Sequence, residues 1–163
     1  MKITCATSIK YGNYKHLQPW VRLYTNMIHT HRAALMAAFD FRPDVEIHFR
    51  PIKASPRRGL KTSGRASDEQ NRVELDPRQM QTSLRSCLET LAHELTHCEQ
   101  YKQGRLLWSK AHTNLRIWNG EPYRHAHMTT QHKQYLALPW EVEARERAAA
   151  FVLVQLGPQR TTI

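Results

Sequence analysis

The stretch Cys87-Leu88-Glu89-Thr90-Leu91-Ala92-His93-Glu94-Leu95-Thr96-His97-Cys98-Glu99-Gln100-Tyr101 decides how the rest of the chain is read. Leu84, Leu88, Leu91, Leu95 and Cys98 recur at alternating steps of four and three, the stripe of a helix that faces a core. His93 and His97 are four apart, so on that helix they share one face, off the Leu91/Leu95 line. Two imidazoles so placed can hold one Zn2+ at about 2.0–2.1 Å each. Glu94, the residue after the first His, is close enough to act on an activated water without binding the metal. With ten His and ten Glu in 163 residues, the pattern H-E-x-x-H arises by chance roughly 0.04 times. A helix apolar on one side and carrying His-Glu-His on another argues further against incidental histidines on a surface helix.

Around this helix the chain reads as one α+β domain over residues 1–163. Residues 2–10 suggest a first strand. Pro19 opens a helix whose apolar face is Val21, Tyr24, Ile28, Leu35 and Phe39, running to about Asp40. Val45-Glu46-Ile47-His48-Phe49-Arg50 alternates as a half-buried strand, closed by Pro51. Residues 51–71, with Pro51, Pro56, Gly59, Gly64 and the basic Lys53, Arg57, Arg58, Lys61 and Arg65, suggest a mobile basic loop. Asn71 to Leu75 is a further strand before Asp76-Pro77. The motif helix spans about 82–103, with Gly104 as its C-terminal cap. Leu106-Leu107-Trp108 starts an irregular segment. Asn119-Gly120 turns a hairpin over Leu115–Tyr123, and Pro139 opens a closing helix to about Leu156, stopped by Gly157-Pro158.

Two histidines need a third protein ligand and an open position. His112, His125, His127, His132, Glu121, Glu141 and Glu143 are the downstream candidates. Glu141 shares a helix face with Ala144, Ala148 and Val152, small residues that let the closing helix approach the motif helix. A carboxylate in so apolar a setting needs a partner, and a metal is a strong one. Glu143 shares its face with Glu146, Arg147 and Ala150 and can pair with Arg147 at i+4 on the surface. The choice is Glu141, 44 residues after His97.

His-Glu-x-x-His followed tens of residues later by Glu-x-Glu-Ala resembles the gluzincin metallopeptidases. The fuller set, H-E-L-T-H-C-E-Q-Y, then W-N-G, then Y-x-x-L-P-W-E-V-E-A, is similar to small metallopeptidases encoded by bacteriophages, over roughly residues 72–155. The resemblance implies a minimal zincin-like domain: a small mixed or antiparallel sheet, the zinc-binding helix and a closing C-terminal helix. It also implies that the first Glu of the later motif, Glu141, binds zinc. One departure stands out: where the family often has Asp or Asn four residues after that Glu, supporting a His, this chain has Arg145. Support for the histidines then comes from elsewhere, or the ligand is Glu143. A SprT-like arrangement, in which a third His binds metal, keeps His112 and His125 open.

The expected activity is zinc-dependent hydrolysis of peptide bonds. His93, His97 and Glu141 hold Zn2+, and Glu94 is the general base. Tyr135, Tyr123, His125 and His127 are candidates for stabilising the oxyanion, and Ile117–Tyr123 could offer an edge strand to an extended peptide; its plainer reading is a hairpin that buries Trp118. Two alternatives remain open. One is a basic module that associates with nucleic acid and carries a structural zinc, favoured by the net charge of +10. Such a site is closed by four ligands, most often including Cys, and Cys98 faces away from the histidines. The other is a zinc hydrolase of a different amide bond.

Three cysteines without paired spacing suggest no disulfide framework, and Cys87 and Cys98 lie about 16 Å apart along one helix. The N-terminus lacks the apolar core of a signal peptide, and no run of about 18 apolar residues predicts a membrane span, so an intracellular protein acting on a protein or peptide substrate is expected.

Overall fold

A computed structural model describes residues 2–7, 14–40, 44–52, 63–67, 71–80, 83–108, 115–124 and 132–158. It is a mixed α+β fold with two small sheets. In the first sheet, the order is β1 (Lys2–Thr7), β2 (Asp44–Phe49), β4 (Arg72–Leu75) and β3 (Gly64–Ser67). β1, β2 and β4 run parallel, and β3 closes the edge antiparallel to β4, with Gly64 opposite Leu75 and Ser67 opposite Arg72. In the second sheet, β5 (Leu106–Trp108), β6 (Leu115–Trp118) and β7 (Glu121–Arg124) form an antiparallel meander. The helices are α1 (Gln18–Thr30), α2 (Arg32–Ala38), α3 (Leu84–Lys102), α4 (His132–Leu136) and α5 (Pro139–Leu156).

Alternation governs β2: Val45, Ile47 and Phe49 are fully buried while Asp44 and Glu46 face out. The expected single helix over 19–40 is two. His31 leaves helical geometry with φ −92° and ψ 8°, which separates α1 from α2 while Leu35 still reaches the core. The expected basic loop over 51–71 contains an ordered strand, since residues 64–67 are β3; Lys53, Arg57, Arg58 and Lys61 lie outside the described residues. Leu106–Trp108 is β5, not an irregular segment, because its backbone pairs with β6. The hairpin turn is as the sequence indicates: Asn119 (φ 50°) and Gly120 (φ 86°) are both left-handed, as a two-residue turn of type I′ requires. Trp118 is buried there against Leu106 and Trp140.

α3 is the axis of the molecule. Ser83 caps its start by accepting from the Ser86 N–H at 3.1 Å. Gly104 (φ 69°) ends it, with Arg105 N–H returning to the Gln100 carbonyl at 2.9 Å and Gly104 N–H to Tyr101 at 3.0 Å. Leu88, Leu91 and Leu95 are fully buried and Cys98 nearly so, whereas Leu84, in the first turn, is exposed. Against α3 packs α5, whose Glu141, Ala144, Ala148 and Val152 form one buried face. The methyl side chains of Ala144 and Ala148 allow that approach. The sheet lies on the other side of α3, where β3 meets it at Gly64. A Cβ added there would stand 2.7 Å from Thr90 Cγ2 and 2.8 Å from Glu94 Cγ, so only glycine lets the edge strand come this near. No helix among the described residues is long and apolar enough to cross a membrane.

Candidate metal centre

α3 and α5 bring three ligand atoms to one point. His93 Nε2 and His97 Nε2 are 3.1 Å apart. Glu141 Oε2 lies 3.4 Å from His93 Nε2, and Glu141 Oε1 lies 3.4 Å from His97 Nε2. These are the three members of the ligand cluster found among the described residues. A tetrahedral ion with bonds of about 2.0–2.1 Å separates its ligand atoms by about 3.3–3.4 Å. Glu141 turns one oxygen to each imidazole nitrogen at 3.4 Å, so the donor set suits Zn2+ in its chemistry and lies close to the spacing of a coordination shell. Three ligands would leave a fourth position open, and His93 keeps about a fifth of its side chain exposed.

The electrostatics fit a site built for a cation. Burial opposes the charge on Glu141, but hydrogen bonds with His93 and His97, the charge of His97 and the Tyr135 hydroxyl together hold its carboxyl well below the ordinary range. For His97, burial works against protonation, yet the hydrogen bond to Glu141, the nearby charges of Glu94 and Glu141 and the bond to Gln100 lift it to about 9. Glu94 is pushed the other way. Burial raises its pKa, partly offset by the two histidines and by the Ala66 backbone N–H, while Glu141 adds to the rise. It stands one residue from the ligand pair, against β3.

The remaining sequence candidates separate clearly. Glu143 is half-buried and takes no part in the cluster. Arg105 binds it through both nitrogens, at 2.8 and 2.6 Å, with Arg147 farther off at 3.8 Å, so its partner is not chiefly the i+4 arginine that helix spacing suggests. Glu121 is exposed at the start of β7. Tyr135, on α4, donates its hydroxyl to Glu141. Tyr123 instead meets the Trp140 ring edge-on at 5.7 Å. Cys98 is buried outside the cluster, its thiol pushed up to about 12 by burial and by Glu94. His112, His125 and His127, and the side chain of His132, lie outside the described residues.

Two contributors escaped the sequence reading. One is Gln100, whose amide oxygen meets His97 Nδ1 at 2.8 Å and whose amide nitrogen donates to the Trp140 carbonyl at 3.2 Å. Its signal was its place three residues after His97, the neighbour position on a helix. It supplies the support that Arg145 does not; Arg145 donates to the Leu136 carbonyl and ties α5 to α4. The other is Gly64 with Ala66, the edge-strand backbone against Glu94. An isolated Gly inside a short alternating stretch signals close backbone approach, but here it sat within a run of basic, loop-like residues. No family model matches the chain, and neither does any curated protein or solved structure.

Proposed function

We propose that this protein is a zinc-dependent peptidase of the gluzincin kind, in a minimal zincin-like domain. One observation carries the reading: His93, His97 and Glu141 converge at the spacing of a zinc coordination shell, with Glu94 beside them between the ligands and an edge strand. Zinc held there supplies Lewis acidity, polarising a carbonyl and acidifying water near neutral pH. Glu94 takes the proton of the attacking water and returns it to the leaving amine. A carboxylate poised by burial to hold a proton suits that exchange, and a cation held by His93, His97 and Glu141 would offset the burial when the base must be ionised. Tyr135 gives its hydroxyl proton to Glu141 and so supports the ligand carboxylate; of the oxyanion candidates it is the one that stands at the ligand set.

The substrate-facing strand of this reading is β3. Its partner within the sheet is β4, and its outer edge lies on the Glu94 side of α3. An extended peptide adding to that edge would be held by main-chain hydrogen bonds and laid along the site. In the Ile117–Tyr123 segment, β6 lies between β5 and β7 and offers no edge, whereas β7 is an edge strand, but of the second sheet, which does not contain β3. Five of the described arginines are already engaged by carboxylates, which weakens their part in a nucleic-acid reading. Arg50 and Arg65 are paired with Glu74, Arg78 with Asp76, Arg105 with Glu143 and Arg147 with Glu99.

The test is zinc-loaded protein against denatured casein and a peptide panel, beside Glu94→Gln. The variant keeps its zinc and loses about 10²–10⁴-fold in turnover. Equal cleavage by both proteins sinks the base assignment, and intact substrates with zinc-loaded wild type sink the peptidase reading.

A further inference from the structure

We propose that Gln100 is a positioning residue that fixes the tautomer of His97, presenting Nε2 to the metal, and that the N-terminal turn of α5 in turn fixes the orientation of Gln100. The inference rests on the reading of His93, His97 and Glu141 as a metal site, but not on peptide hydrolysis.

A glutamine amide offers an acceptor on one side and donors on the other. Gln100 has the Trp140 carbonyl 3.2 Å from its nitrogen, and a carbonyl can only accept. The Glu143 carboxylate, which also takes a hydrogen bond from Gln100, can only accept as well at neutral pH. The NH₂ end must therefore face α5, which leaves Oε1 for His97 Nδ1 at 2.8 Å. An oxygen there requires that Nδ1 carry the proton. The lone pair of a neutral His97 then resides on Nε2, the nitrogen that stands 3.4 Å from Glu141 and 3.1 Å from His93.

The restraint extends outward. Gln100 is fully buried, so no water competes for its amide. Glu143 is locked by Arg105, which leaves α3 just after its cap, so the partner of Gln100 is itself held from the end of the same helix. Trp140 adjoins Glu141 in sequence. The contact that orients His97 thus also sets where the third ligand enters, and ligands from two helices are aligned by one amide. A residue orienting a ligand imidazole typically contributes about 10–100-fold in metal affinity.

The test needs no substrate. Long-range ¹H–¹⁵N NMR of the metal-free protein, recorded above the pH at which the His97 ring signals stop titrating, reads its tautomer directly. Wild type is expected with the proton on Nδ1; a proton on Nε2 overturns the proposal without recourse to any variant. Gln100→Leu, close in size and unable to accept, is expected to shift His97 towards the Nε2–H form and to weaken zinc about 10–100-fold in chelator competition. Gln100→Glu, which restores an acceptor at Nδ1, is expected to recover the Nδ1–H form. Unchanged tautomer and zinc affinity in a folded Gln100→Leu protein also overturn the proposal. Failure of the peptidase reading looks different: zinc binds, Gln100→Leu weakens it, and no peptide is cut.

Discussion

Of the almost wholly buried carboxylates, Glu74 and Glu141 are neutralised in different ways. Glu74, on β4, is held by Arg50 at 3.2 Å and Arg65 at 2.5 Å across the outer face of the first sheet. Glu141, on α5, is held by His93, His97 and Tyr135. Guanidinium groups keep their protons in proteins, so the Glu74 cradle is a closed ion cluster. Imidazoles can give theirs up, so the Glu141 cradle can exchange a proton for a metal ion. Similar burial and similar counter-charge therefore produce a strut in one place and a candidate metal centre in the other. The distinction lies in whether the partner can become a lone-pair donor.

Glu141→Ala sharpens this contrast most. At zinc a thousandfold above its dissociation constant, binding adds about 4 kcal/mol to folding stability. Removing the ligand is expected to abolish most of that gain, seen as melts of the variant that no longer respond to zinc or chelator. Glu74→Ala should keep the full zinc response. Its arginines are close to half-exposed or more and can rehydrate, so the loss is about 1 kcal/mol. A zinc-dependent melt in Glu141→Ala would return the third ligand to a histidine of the 112–132 segment.

The next largest effect is of pH. His97 in the metal-free protein holds its proton up to about pH 9, above its unfolded value near 6.5. Zinc must displace that proton, so affinity is expected to rise about tenfold per pH unit from 6.5 towards 9, roughly 1.4 kcal/mol per unit. The metal-free fold moves oppositely. A raised histidine pKa contributes stability that is complete below about 6.5 and is lost as pH climbs through 9. Calorimetric titrations in buffers of different ionisation enthalpy, together with melts in chelator, measure both slopes. Parallel slopes would contradict the exchange of a proton for metal.

Gly64→Ala tests the contact between the edge strand and Glu94. The new methyl would meet Thr90 and Glu94 at under 3 Å, so β3 must retreat, at a cost of about 1–3 kcal/mol. Peptide turnover should fall further than zinc affinity does. Equal losses in both would remove β3 from substrate binding.

Glu143→Ala is expected to do least. Its pair with Arg105 is partly exposed, worth about 0.5–1 kcal/mol. Zinc affinity should drop by less than the roughly tenfold that removal of a direct ligand partner costs. A complete loss of zinc would exchange the roles assigned to Glu141 and Glu143.

Local periodicity made much of this legible in the chain. The i,i+4 histidines, the Leu88/Leu91/Leu95 stripe, the Asn119-Gly120 turn and the alternation of β2 are properties of a few consecutive residues, where backbone geometry alone decides which side chains share a face. The same rule set Glu141 apart from Glu143, since two residues on a helix are far apart in angle, and Glu141 is on the buried face that meets α3. What tertiary structure alone decided involves partners distant in sequence. A glycine within a basic, loop-like run became the close approach of an edge strand, because β4 was there to pair with it. Arg105 reached Glu143 across 38 residues, and Gln100 was fixed by a carbonyl 40 residues later. Hydrogen-bond partners of that kind have no period to read. They are set by how two helices pack, and so the residues that would hold a metal can be named from the sequence while those that aim them cannot.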